Sequence, residues 1–161
     1  MATETERKFL VNPDLLPHLP DGEHIIQAYL HISKQVTVRV RITTGSAYIT
    51  IKGPARGISR PEFEYSVPMD DALFMAYELS PYKPIRKTRR KIIFEGKSWE
   101  LDEFEELNNG LWIAEIELSD AEEQIELPPW IIREVTDDHR YLNSKLATEP
   151  FCNWKDTQDG D

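Results

Sequence analysis

The chain predicts an α+β fold, mainly β, in which about eight short antiparallel strands close or nearly close on themselves, with a few helices outside. Three observations predict it. Segment after segment alternates apolar and polar residues with a period of two. Turn signals separate these segments at hairpin spacing, as at Thr44-Gly45-Ser46, Glu95-Gly96-Lys97 and Asn108-Asn109-Gly110. Helical character is confined to a few short stretches, the longest at 68–79 and 137–146.

Taken in order, Glu4-Thr5-Glu6-Arg7-Lys8 runs into Phe9-Leu10-Val11. In a strand this puts Glu4, Glu6 and Lys8 on one face. Residues 12–22 hold Pro13, Pro17 and Pro20, with Asn12 placed to cap a single turn that has Pro13 at its first position. Residues 24–33 read as a strand. In 35–43, Val36, Val38, Val40 and Ile42 oppose Thr37, Arg39 and Arg41, and in 47–53, Ile49 and Ile51 oppose Tyr48, Thr50 and Lys52. Residues 53–60 form a Gly- and Pro-containing loop. Residues 61–67 set Phe63, Tyr65 and Val67 against Glu62, Glu64 and Ser66. The helix from Pro68 carries Asp70 and Asp71 in its first turn and should pack Leu73, Ala76 and Tyr77 on the sheet.

Residues 85–94 place Lys87, Arg89 and Lys91 on one face. Residues 99–104 set Glu100, Asp102 and Phe104 against Trp99, Leu101 and Glu103, and 111–118 set Ile113, Glu115 and Glu117 against Ala114, Ile116 and Leu118. Ser119, with Glu122 reciprocating, is expected to cap a short helix over 120–125. Pro128-Pro129-Trp130 opens an irregular or helical piece, 137–146 a C-terminal helix, and the chain beyond Pro150 a frayed polar tail. The expected organisation is one domain over 1–150 and a tail over 151–161.

Composition narrows the partners. A net charge of −10 over 161 residues disfavours nucleic acid or anionic membrane held by bulk electrostatics. A polyanion would need clustered cations in a recessed site. The lone Cys152 excludes an internal disulfide and fits a reducing compartment. With no signal-like or membrane-length apolar run, the expectation is a cytoplasmic protein, as a monomer or homodimer.

Charges of one sign recur at i, i+2: Glu4/Glu6, Arg39/Arg41, Glu62/Glu64, Lys87/Arg89, Glu115/Glu117. Two architectures accommodate them. In a sandwich the apolar faces form the core and the charges meet water. In a barrel wrapped by helices, the charged faces line a wet interior. Like charges so close repel, and a surface chosen only for solubility would intersperse signs. An interior with clustered cations would hold a polyanion, and carboxylates beside them a hard divalent cation.

These residues resemble a known family, the triphosphate tunnel metalloenzymes or CYTH superfamily, which includes a class of adenylyl cyclases and thiamine triphosphatase. The resemblance rests on Glu4-x-Glu6-x-Lys8, the run Glu6 to Val11, Tyr29-Leu30, Arg39-x-Arg41, Lys52 and Ser59 to Glu64. It continues through Lys87-Thr88-Arg89, Glu100 to Asp102, Glu115-x-Glu117, Pro128 to Trp130, Glu134 to Thr136 and Arg140 to Ala147. It implies an eight-stranded antiparallel tunnel with a C-terminal plug helix, binding a triphosphate with Mg²⁺ or Mn²⁺. By resemblance, Glu4, Glu6, Glu115 and Glu117, with Asp102 nearby, correspond to the metal ligands. Lys8, Arg39, Arg41, Lys52, Lys87 and Arg89 correspond to the phosphate-binding cations, with Lys145 at one mouth. Lys8 and Tyr29 would take part in catalysis, and Glu62 or Glu64 could orient the attacking water.

The short bacterial branch implies hydrolysis of inorganic tripolyphosphate. The alternatives are a nucleoside or thiamine triphosphatase, an adenylyl cyclase, or a non-catalytic polyphosphate or nucleotide binder. A cyclase needs a base pocket, for which the sequence carries no signal. A pure anion binder gains nothing from carboxylates facing its ligand.

Overall fold

In the computed structural model, which describes residues 2–154, nine antiparallel strands are interspersed with a few short helices. They are β1 (Thr3–Val11), β2 (Glu23–Ile32), β3 (Thr37–Thr43), β4 (Ser46–Lys52), β5 (Ser59–Ser66), β6 (Ile85–Phe94), β7 (Lys97–Phe104), β8 (Trp112–Glu117) and β9 (Ile131–Glu134). Helices α1 (Met69–Phe74) and α2 (Asn143–Thr148) are joined by single 3₁₀ turns and by a π turn that extends α1 through Leu79. Among the described residues no helix is long and apolar enough to cross a membrane.

Eight strands close into a barrel in the order β1-β5-β4-β3-β2-β6-β7-β8, with β8 returning to β1. The expected closed antiparallel barrel is therefore present. β1 is the closing stave, and every part of its second edge is occupied. Thr3 to Thr5 pair with β5, Phe9 to Val11 pair with β9, and between them Glu6 N–H reaches Ile58 C=O at 3.4 Å. Lys8 N–H donates to Thr136 Oγ1 at 3.0 Å, while its carbonyl accepts from Val135 N–H at 2.8 Å. Unpaired backbone groups at this seam would cost free energy, so β9 and its neighbours complete the closure.

Alternation then decides the layers. One apolar cluster (Ala28, Val40, Ile42, Ala47) lies outside β2 to β4 under Ala72 and Ala76 of the α1 segment. A second (Phe9, Val11, Trp99, Leu101, Ala114, Ile116) lies outside β1, β7 and β8, capped by Trp130. A third forms inside: Leu10, Tyr29, Ile85, Phe104 and Ile113 share faces with the charged residues, and they pack with Tyr141, Leu146 and Trp154. One end of the bore is thus stoppered by apolar side chains and α2, and the charges occupy the remainder.

Several expectations need correction. Ile131–Glu134 is a strand, the ninth, because β1 offers it an unpaired edge. Residues 120–125 are not helical: Ser119 N–H and Oγ both donate to Glu123, not Glu122, closing a turn. The outer face of β1, β7 and β8 is consequently covered by irregular chain around Leu16, Leu19 and Ile125 instead of helix. The C-terminal helix is confined to Asn143–Thr148 after a 3₁₀ turn at His139–Tyr141. Leu73 and Tyr77 face solvent, since close approach of the α1 segment to the sheet selects alanines at the contact. Beyond Pro150 the chain is not frayed at once: Phe151 and Trp154 pack edge-on, and Trp154 meets Tyr141 at 5.1 Å. The rest of the expected tail, 155–161, lies outside the described residues.

Candidate active site

The free part of the bore is a cavity of about 370 Å³, in the range of small-ligand sites. Its charged lining is divided by strand. Acids come from β1 (Glu4, Glu6), β8 (Glu115, Glu117), β7 (Glu100) and β5 (Glu62, Glu64), which are contiguous around the ring in the order β7-β8-β1-β5. Cations come from β3 (Arg39, Arg41), β4 (Lys52), β6 (Lys87, Arg89) and β1 (Lys8). The period of two delivers each residue inward, and antiparallel register sets them abreast: Glu6 opposite Glu117, Lys8 opposite Glu115, Glu100 opposite Glu115, Arg39 opposite Thr50.

The acids hold more negative charge than so dry a wall tolerates. Burial, with Glu115 and Glu4 close by, pushes the Glu6 carboxyl well above the ordinary carboxylate range. Burial and the Glu4 charge raise Glu62, and the same causes raise Glu117. Burial acts upward on Glu4 and Glu115 too, but cations overcome it. Lys52 Nζ stands 2.7 Å from Glu4 Oε2, and Lys8, Arg89 and Lys87 hold Glu115 well below the usual range. The Lys52 contact is an ion pair off the hydrogen-bond direction, so Glu4 Oε2 is buried and accepts no hydrogen bond.

The cations fall into two kinds. Lys87 and Arg89 share Asp102, Lys87 Nζ at 2.8 Å and Arg89 as a two-pronged pair at 2.7 and 2.9 Å, and Arg89 also meets Glu100 at 2.7 Å. Burial nonetheless depresses the Lys87 pKa to about 7, with Asp102 opposing it. Arg39, Arg41 and Lys8 rest chiefly on neutral acceptors. Arg39 Nη2 donates to Thr50 Oγ1 at 3.2 Å, Arg41 Nε to Gln27 Oε1 at 3.0 Å and Lys8 Nζ to the Tyr141 carbonyl at 3.3 Å. The Arg39 Nε–H is buried without a partner. An unspent donor and undercompensated cations aimed into a cavity suit an anion with many acceptor oxygens.

Of the expected site residues, Lys8, Tyr29, Arg39, Arg41, Lys52, Glu62, Glu64, Lys87, Arg89, Glu4, Glu6, Glu115 and Glu117 all line this one cavity. Asp102 does not: it lies behind Lys87 and Arg89, 1 % exposed, with both oxygens engaged. Lys145 does not either. Its side chain is exposed beside a separate depression with Glu134 and Arg140, because α2 turns Asn143 and Ser144 toward the bore. Sequence reasoning missed Gln27, Thr50 as a partner, Asn143 and Arg60; Thr50 was visible on the inward face, whereas Gln27 and Asn143 carry no charge to mark them.

The donor set fits a hard divalent cation in chemistry, with several carboxylates on one wall, a buried Glu4 oxygen that accepts no hydrogen bond, and Glu6 close to both Glu4 and Glu115. It is not pre-assembled. Among the described residues no three His, Cys, Asp or Glu side chains stand in ready ligand geometry, and Lys52 occupies Glu4.

Known proteins are similar to this chain. Inorganic triphosphatase of Acetivibrio thermocellus is 44 % identical over 156 residues, 97 % of this chain and all of that protein. Inorganic triphosphatase of Nitrosomonas europaea is 33 % identical over 153 residues, 90 % of this chain and 97 % of that one. A crystal structure of an inorganic triphosphatase superposes with a TM-score of 0.66 at 28 % identity, covering 89 % of this chain and 97 % of that chain. A Pyrococcus horikoshii protein at 23 % identity shares the fold, with a TM-score of 0.53 over 73 % of this chain and 80 % of its own. Residues 2–149 match the CYTH domain, and with a charged barrel of this topology behind the match, the chain belongs to the CYTH family.

Proposed function

We propose that the protein hydrolyses inorganic tripolyphosphate to pyrophosphate and orthophosphate in the barrel cavity, with Mg²⁺ or Mn²⁺. The observation that carries this reading is one cavity in the barrel in which a cationic set faces an acidic wall. The relatives' activity, inorganic triphosphatase, agrees with it.

Phosphoryl transfer asks a protein chiefly to position the chain and neutralise charge. Arg39, Arg41, Lys8 and Lys52, with the cavity-facing side of Lys87 and Arg89, would hold the phosphate oxygens. Glu4, Glu6, Glu115 and, at the rim, Glu117 would hold the divalent cation, which supplies further charge neutralisation at the phosphate oxygens. A water oxygen attacks the terminal phosphorus, the bridging P–O bond breaks, and pyrophosphate leaves. Glu62 is the better placed of the two β5 acids to take the water's proton. Each stands 3.8 Å from a cation, Glu62 from Lys52 and Glu64 from Arg39, but burial and the Glu4 charge raise the Glu62 pKa, whereas Glu64 is also engaged by the Thr50 hydroxyl at 2.8 Å. Tyr29 lines the cavity where charge gives way to the apolar stopper and would set the depth of the bound chain. Asp102 we assign to bracing Lys87 and Arg89. The single cysteine fits a cytoplasmic setting.

The test is release of orthophosphate from tripolyphosphate by the purified protein with each metal in turn. ATP and thiamine triphosphate serve as competing substrates, and cyclic AMP is sought among the ATP products. No phosphate from any of them overturns the reading.

A further inference from the structure

Gln27 is fully buried on β2 and does not line the cavity, yet its amide meets one of the cavity's cations directly and a second through Asn143. Its Oε1 accepts from Arg41 Nε at 3.0 Å, across the pair that sets Gln27 abreast of Arg41. An arginine only donates, so the oxygen must face it, and this fixes which way the amide points. Its Nε2 then donates to Asn143 Oδ1 at 3.2 Å, at the start of α2, and the same oxygen accepts from Lys87 Nζ at 3.0 Å. Arg41, Gln27, Asn143 and Lys87 thus form one connected frame joining β3, β2, α2 and β6.

Within it Arg41, like Lys8 elsewhere in the bore, is held by a neutral acceptor. Lys52, Arg39, Lys87 and Arg89 each have a carboxylate in ion-pair contact; among the described residues Arg41 has none. A glutamate of the same length at 27 would be the stronger partner for a buried guanidinium. It would also cancel the charge that an anion needs, and it lacks the N–H that reaches Asn143.

We propose that Gln27 is a positioning residue, which aims the Arg41 guanidinium into the cavity while leaving its charge for the substrate and, through Asn143, holds Lys87 in the same frame. The inference rests on the tripolyphosphate reading and adds a residue outside the cavity lining to it. Stability and substrate affinity should then pull in opposite directions at this position.

The experiment compares wild type with Gln27→Glu by thermal melting and by steady-state tripolyphosphate hydrolysis with Mg²⁺. Expected is a melting midpoint at or above wild type, with KM raised about tenfold, the equivalent of one charge-assisted hydrogen bond, and kcat within about threefold. A folded Gln27→Glu variant with the wild-type KM overturns the inference. If that variant does not fold, Asn143→Ala carries the test: a KM rise of about threefold with an unchanged fold supports the frame, and an unchanged KM overturns it. Wild type releasing no phosphate overturns the hydrolysis reading instead. The variants are then compared by the rise in melting midpoint that tripolyphosphate produces without metal. A smaller rise in Gln27→Glu than in wild type supports the inference, an equal rise overturns it, and no rise in either overturns both.

Discussion

Replacing Asp102 with alanine separates two roles that one carboxylate could play in this barrel. Its oxygens lie 2.8 Å from Lys87 Nζ and 2.7 and 2.9 Å from the Arg89 guanidinium, and neither Asp102 nor Lys87 is more than 1 % exposed. Taking one partner from a buried ion pair costs about 3–5 kcal/mol, because the other charge is left uncompensated. Two features place the expected loss at the low end, about 3 kcal/mol. Arg89 retains Glu100 at 2.7 Å, and Lys87, whose pKa is already near 7, can shed its proton. For a domain of this size each kcal/mol moves the midpoint by about 2–4 °C, so the variant should melt about 6–12 °C lower. Differential scanning calorimetry without metal or phosphate reads this directly. Asp102→Asn, which keeps an acceptor, should lose less. Added tripolyphosphate should recover more midpoint in Asp102→Ala than in wild type, since it meets cations that have lost their counter-ion. A midpoint within about 2 °C of wild type, combined with a raised Mg²⁺ requirement, would refute the bracing role and return Asp102 to the metal-binding set.

Lys8→Ala and Glu4→Gln should each abolish measurable phosphate release while far-ultraviolet circular dichroism stays that of wild type; normal turnover in either would show that the cavity is not where the chemistry occurs. Trp154→Ala should lower stability by about 3 kcal/mol, the low end for a buried tryptophan, because Trp154 packs on Tyr141 and Phe151 in the stopper. A shift under about 2 °C would mean the stopper ends before it. On the outside, Arg7 donates to both Glu134 oxygens at 2.9 and 2.7 Å, and this outweighs burial to hold the Glu134 pKa below its ordinary value. A carboxylate lowered on folding stabilises above its unfolded pKa and loses that contribution as pH falls through the folded one. Glu134→Gln should therefore cost about 0.5–1 kcal/mol at pH 7, discounted for exposure, and progressively less in acid. Urea melts across that range that run parallel to wild type at every pH would refute it.

Much of the barrel and its lining is legible in the chain because side-chain direction in a strand is a local property. Thr37, Arg39 and Arg41 must share a face whatever they meet, and the same holds for Glu4, Glu6 and Lys8. What Leu10, Ile85, Phe104 and Ile113 do on those charged faces is not legible, since it takes neighbouring strands to show that they stack at one end and close it. The ninth strand was hidden for a related reason: Ile131–Glu134 is short and becomes a strand only because β1 presents an edge. At 120–125 a capping pattern was present, but Ser119 donates to Glu123 in a turn and no helix follows.

Alone, then, the sequence determined which residues share a face, and with them the sign and density of charge on each one. The tertiary structure decided which charges meet. It put Asp102 behind two cations instead of at the cavity wall, sent Lys145 outward and brought Gln27 under Arg41. Pairing across strands depends on register and closure, which relate residues dozens of positions apart, and no local periodicity encodes those distances.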